Sequence, residues 1–253
     1  AIVANIDRRY PSSFARSSVY DVTDPLYGGI GDDNFDNASA IATAITAVRG
    51  AVDSVRGGTI FFPPGSYLVN STINLDDTIG IRLLGLGGIT SGVFPQTVIH
   101  YAGTTTAISA RSTSSFALEH MYIYAPNLGA NASIIDLSWS NTGGDAALAH
   151  ISYNYLSTNF VSTAVILLDR ANSNIIEYNN LVGGGTATIL GISTNGHYSN
   201  ANHLIGNHFV GVKNAIQDAG QAWSVEKNTF EGTGTAFVKV YNVVMSDGTY
   251  INF

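Results

Sequence analysis

Residues 28–75 read GGIGDDNFDNASAIATAITAVRGAVDSVRGGTIFFPPGSYLVNSTINL, and this stretch decides the fold before any repeat is counted. Ile41, Ile45, Val48, Val52 and Val55 recur in alternating steps of four and three, while Thr43, Thr46, Arg49 and Asp53 fall on the opposite side. That spacing predicts one amphipathic helix over about residues 37–55. Asp36, Asn37 and Ser39 offer oxygen acceptors to its first amides, and Gly57-Gly58 permits a turn through positive φ after it. Thr59 to Phe62 is a β-branched and aromatic run, Pro63-Pro64-Gly65 forms a corner, and a second strand begins at Ser66 and runs to Val69.

At these positions the chain resembles the pectate-lyase-like superfamily of right-handed parallel β-helices. The resemblance rests on Tyr27-Gly28, Gly31-Asp32-Asp33, Asp36-Asn37, Gly57-Gly58-Thr59 and Pro64-Gly65-Ser66-Tyr67. It departs at Asp33, where the family usually has glycine, and at Asn37, where it usually has aspartate. It implies an all-β, single-stranded solenoid whose N-terminal end is capped by the helix. The same opening segment occurs in phage tailspikes, fungal β-glucanases and pectin-degrading enzymes, so it names a fold and not a reaction.

Working outward, residues 1–27 read as an N-terminal arm and residues 28–253 as one β-helix domain, because each layer of a solenoid leans on the next. Only 11% of the 253 residues are charged, against about a quarter in an average soluble domain. Polarity therefore comes from Asn, Ser and Thr. With a net charge of -7 and eleven Lys plus Arg scattered along the chain, no basic stripe exists to neutralise nucleic-acid phosphates. The same acidity disfavours a highly anionic polymer away from a local basic site. There is no cysteine, hence no disulfide and no thiolate metal site. No apolar run reaches membrane-spanning length, and Ala1 to Tyr20 is not a signal peptide, so the sequence predicts no membrane insertion.

Ile81–Leu84 and Thr97–Tyr101 read as strands, after which repeats align. Placing Leu118, Leu148, Ile176, Leu204 and Val225 in one core column puts Met121, Ile151, Asn179, Asn207 and Asn228 three residues on, and Ile123, Tyr153, Leu181, Phe209 and Phe230 in the next inward column. Asn179, Asn207 and Asn228 are expected to form a ladder of stacked amides that serves structure. Thr249 to Phe253 reads as a last strand with nothing polar covering it, which points to a following segment or to assembly into a homotrimer.

Counting seven back from the core column gives Arg111, Asn141, Asp169, His197 and Asp218. Asp169 and Asp218, about 9.6 Å apart along the axis with His197 between them, match the carboxylate separation of inverting glycoside hydrolysis. The competing reading is that turn carboxylates only cap backbone. Arg170, beside Asp169, is a substrate-binding candidate, and the resemblance to pectate lyases implies an arginine base, for which it is the nearby candidate. Glu119, Glu177 and Glu226 form a second carboxylate column, with Glu177 and Glu226 as substrate-binding candidates. Tyr122 and Tyr124 flank Ile123 and so point outward, where aromatic rings stack on sugars. His120 and His150, sharing a column with Tyr178, read as stacking residues and not metal ligands; Asp32, Asp33 and Asp36 serve a turn and the helix cap. No metal or cofactor is expected. These features suggest a phage or virion surface protein that binds a cell-surface polysaccharide, with depolymerisation of that polysaccharide as its candidate activity and the N-terminal arm meeting other virion proteins. A secreted glycoside hydrolase or polysaccharide lyase, and a non-catalytic spike, are the alternatives.

Overall fold

The computed structural model describes residues 19–50, 57–87, 97–140, 144–158, 164–184, 190–194, 199–218, 222–232, 236–240, 243–244 and 250–251. The arm before Val19, the helix beyond Gly50 and His197 lie outside these residues. Three parallel sheets of eight, eight and seven strands run the length of the molecule. Each turn of the chain contributes one strand to each sheet, which is the parallel β-helix the opening segment implied. The first sheet already contains Val19–Asp21, paired with Thr59–Phe61, so the solenoid is under way ahead of the expected boundary at Gly28.

The interior is built from columns of like residues. Ile60, Leu83, Leu118, Ile151, Ile176 and Leu204 stack in the first sheet. Tyr67, Ile99, Ile123, Leu156, Leu181 and Phe209 stack in the second, and Ile73, Ile108, Ile135, Ile166, Ile192 and Ile216 in the third. All are buried, and each contributes about 1.5–3 kcal/mol by leaving water. The helix Ala38–Gly50 lays Ile41, Ile45 and Val48 onto this core as expected.

One layer departs from the sequence alignment. Leu148, expected in the core, is 58% exposed and left-handed at φ 58°. Ile151 occupies its place, Asn154 joins the ladder where Ile151 was expected, and Leu156 replaces Tyr153 in the second-sheet column. The cause is extra chain ahead of the corner: Ala146 comes eleven residues after Ile135, whereas its register partner Ala171 comes five after Ile166. The same three-residue slip separates His150 from His120: His120 stacks on Tyr153 at 5.1 Å, Tyr153 stacks on Tyr178 at 5.3 Å, and all three residues are left-handed.

The ladder itself is continuous. Asn179 Oδ1 accepts from Asn154 N and Nδ2, Asn207 Oδ1 from Asn179 N and Nδ2, and Asn228 Oδ1 from Asn207 N and Nδ2, all at 2.8–3.1 Å. A shorter ladder, Asn174 to Asn202, runs along the opposite end of the first-sheet strands.

The opening segment explains its own departures. Asp33 holds φ at 61°, the conformation glycine adopts most readily there. Asn37 is fully buried; its Oδ1 accepts from Ile30 N at 2.7 Å while Nδ2 donates to the carbonyls of Ile30, Phe35 and Leu68. A carboxylate has no proton for those three carbonyls. Asp32 Oδ1 accepts from Asn34 N and Phe35 N, and Asp36 Oδ1 from Ala38 N at the helix start. Gly57 is not left-handed; it is required by space, since a Cβ there would sit 1.6 Å from the Gly80 carbonyl oxygen.

Candidate functional site

Beside the helix, the outer wall of the third sheet carries a groove made of two adjoining hollows of about 550 and 600 Å³ that share Thr72 and Asn74. Its walls are hydroxyls and amides from consecutive layers: Thr72 and Asn74 from one, Thr104, Thr105, Thr106 and Ser109 from the next, Asn131 and Asp136 from the third. The third-sheet register brings them together, since Asn74, Ser109 and Asp136 are direct neighbours across three strands. Several hydroxyls are fixed in place. Thr72 Oγ1 donates to the Thr106 carbonyl at 2.7 Å and lies 3.0 Å from Thr105 Oγ1, which in turn lies 2.7 Å from Tyr101 OH.

Asp76, Arg111 and Asp136 stand together among the charged groups of the groove. Asp76 Oδ2 accepts from Arg111 Nε at 3.0 Å and Nη2 at 2.6 Å, and its Oδ1 accepts from Ser109 Oγ at 2.6 Å and Arg111 N at 2.9 Å. Burial alone would raise the Asp76 pKa, but the hydrogen bonds from Arg111 and Ser109 outweigh it and hold the carboxyl below its ordinary value. Asp136 is the opposite case. Burial raises its pKa above the ordinary value, more than the hydrogen bonds from Ser138 and the nearby Arg111 lower it. Adjacent carboxylates driven in opposite directions are the arrangement by which a site divides proton-holding from charge-holding roles. Asp76, with all its lone pairs taken, holds charge; Asp136 is the group suited to carry a proton.

The Asp76 pair has a stability signature. Its folded pKa is depressed, so its contribution is present above the unfolded value of 3.8 and lost as pH falls through the folded one. Asp76→Asn is expected to cost about 1–2 kcal/mol in urea unfolding at pH 7, discounted for the half-exposed Arg111, and progressively less below pH 3.8. An equal cost at both pH values would assign the loss to packing.

The residues expected from sequence are placed as follows. Asp169 follows the strand Ala164–Leu167, and Asp218 ends the strand Asn214–Asp218 two layers on. Leu167, Ser193 and Gln217 are register partners, so Asp218 is level with Leu168 and Asp169 lies one residue beyond. The two share a corner but not a column, because ten residues separate Ile166 from Ile176 whereas nine separate Ile216 from Val225. Arg170 is left-handed and exposed, its guanidinium 4.6 Å above the Trp139 ring. Glu119, Glu177 and Glu226 do fall in one column of the first sheet, two layers apart each, with Ser152 and Ile205 between. Within it Glu119 pairs with Arg82, and His150 Nε2 lies 2.8 Å from Glu177 Oε1. Tyr122 and Tyr124 are outward on the second sheet as expected, flanking buried Ile123, with Tyr155 at 4.9 Å from Tyr122 and His100 at 5.5 Å from Tyr124.

Sequence reasoning missed Asp76 and Asp136. The available signal was a charge inside the apolar run Ile134-Ile135-Asp136-Leu137, on the outward side of a strand. Among the described residues no three His, Asp or Glu side chains gather as a metal site, and no helix is long and apolar enough to cross a membrane.

No protein-family model matches the sequence, and no curated protein matches it. The fold is similar to that of solved structures. The catalytic unit of a GH87 α-1,3-glucanase from Streptomyces thermodiastaticus superposes with a TM-score of 0.53 at 16% identity, covering 90% of this chain and 42% of that one. The A-module of the mannuronan C-5 epimerase AlgE6 from Azotobacter vinelandii gives 0.44 at 20% identity, over 83% and 57%. The ORF18 protein of Geobacillus virus E2 gives 0.37 at 14% identity, over 88% and 60%. The chain thus spans about half the length of these structures, and what it shares with the glucanase unit is the fold, a parallel β-helix.

Proposed function

We propose that this chain is the polysaccharide-binding β-helix module of a longer extracellular or virion-surface protein, assembled as a homotrimer. The observation that carries the reading is the third-sheet groove, whose walls set hydroxyls and amides from three consecutive layers side by side, the groups that hydrogen-bond sugar hydroxyls. Processing of the bound chain is favoured by one further observation, the protonation-prone Asp136 in the groove wall. In this reading Asp136 protonates a departing glycosidic oxygen while water adds to the anomeric carbon and releases its proton to solvent. A second reading puts the polysaccharide on the second sheet, where Tyr122 and Tyr124 stand outward with His100 and Tyr155.

Thr104 and Asn131 are exposed on the groove rim, so Thr104→Trp and Asn131→Trp fill the groove without touching the core. In affinity electrophoresis against a polysaccharide panel, each is expected to weaken binding at least tenfold with the thermal unfolding midpoint unchanged, a loss of about 1.4 kcal/mol. Loss in Tyr122→Ala and Tyr124→Ala with the groove variants intact would move the site to the second sheet. Undiminished binding in all four would remove both.

A further inference from the structure

The groove reading leaves open what kind of polysaccharide fits, and the charges on its walls bear on that. The cations among its described lining residues are Arg111 and Arg49. Arg111 is closed onto Asp76 by two parallel hydrogen bonds, and the Arg49 Nη2 donates to the Asp76 carbonyl at 3.1 Å. Against them stand Asp76, Asp77 and Asp136 on the same walls. In the hollow lined by Arg111 and Asp136, a carboxylate or sulfate on an incoming sugar would have to break the Asp76–Arg111 pair to find a cation, and would lie beside Asp136 while doing so. Hydroxyls meet no such obstacle, since the walls offer them the neutral hydroxyl oxygens of Thr72 and Thr105 and the side-chain amide of Asn74. The chain's net charge of -7 adds a long-range field of the same sign.

We infer that the groove takes an uncharged polysaccharide and excludes uronate- or sulfate-bearing chains, the selection being made by Asp136 together with the closed Asp76–Arg111 pair. This rests on the groove being the polysaccharide site.

The test is isothermal titration of the whole chain with a neutral glucan, a neutral galactomannan, a polygalacturonate and a sulfated galactan, at low salt and at about 0.5 M salt, where exposed charges are screened. The expected result is binding of a neutral chain at least tenfold tighter than either anionic one, with the neutral affinity unmoved by salt. Asp136→Asn is expected to narrow the gap by raising affinity for the anionic chains several-fold, and Thr104→Trp to abolish binding of the neutral chain. Wild-type preference for an anionic chain, blocked by Thr104→Trp, overturns the inference while leaving the groove as the site. Neutral binding that Thr104→Trp does not touch, or no binding by any chain, overturns the groove reading and the inference together.

Discussion

Asn179→Ala is expected to destabilise the chain by about 3–5 kcal/mol in urea unfolding, the largest stability effect of a single-side-chain truncation outside the apolar columns. The side chain accepts from Asn154 N and Nδ2 at 3.0 Å each and donates to Ile151 O at 2.8 Å, Glu177 O at 2.9 Å and Asn207 Oδ1 at 3.0 Å. It is 1% exposed, and Asn154 and Asn207 on either side are fully buried. No water reaches the groups that truncation leaves behind, and each orphaned donor or acceptor costs about 1–3 kcal/mol. Asn154 N and the carbonyl of Ile151 are the main ones. Asn180, one residue on, faces outward and is half-buried; Asn180→Ala is expected to stay within about 0.5 kcal/mol. The contrast between neighbouring asparagines separates ladder energetics from composition. In Asn154→Ala/Asn179→Ala the costs should add to less than their sum, since the second truncation removes a partner already lost. A cost below about 1 kcal/mol for Asn179→Ala would mean that the ladder follows the coil and does not hold it.

Asn179, Asn207 and Asn228 were legible in the sequence because each stands three residues after an apolar residue of the aligned core column, in the same asparagine-x-apolar signature. Asn154 was not, although it is the fourth rung. The longer stretch between Ile135 and Ala146 shifts the layer by three residues from the alignment, and in a chain this rich in isoleucine, leucine and alanine a shift of three still lands on apolar side chains. Leu148 therefore looked as good a core residue as Ile151. The helix and the strand after it were readable because their periods differ, 3.6 against 2, so no slip converts one into the other. Chemistry was less legible than fold for a related reason. Asp169 and Asp218 were brought together by a constant offset, but corners of a β-helix vary in length while sheet positions do not. The carboxylates that meet a groove, Asp76 and Asp136, are tied to the third-sheet column through Asn74 and Ser109. Site residues in such a coil are better counted from the strand they sit on than from the next layer's core.

Asp136→Asn is expected to lower polysaccharide cleavage by at least about 100-fold, the range for loss of a positioned general acid, while the fold holds or gains. Asparagine keeps an Oδ1 acceptor for Ser138 N, bonded at 2.9 Å in the native chain, so the local turn survives. The stability sign follows from burial. A carboxyl whose folded pKa is raised contributes stability that is present below its unfolded value of 3.8 and lost as pH rises through the folded one. At pH 7 the native Asp136 is therefore a cost that the amide avoids, and the variant should unfold at higher urea than the native chain there, with the advantage vanishing below pH 3.8. Activity should run the other way: native cleavage of a neutral polysaccharide, read as new reducing ends, should fall as pH rises through the raised pKa, and that limb should be absent from the residual activity of the variant. A group that only supports the fold would lose stability and activity together. Opposite signs on the two readouts mark a carboxyl held at a cost to stability because the reaction uses its proton, and cleavage that survives Asp136→Asn undiminished would leave the groove a binding site without that chemistry.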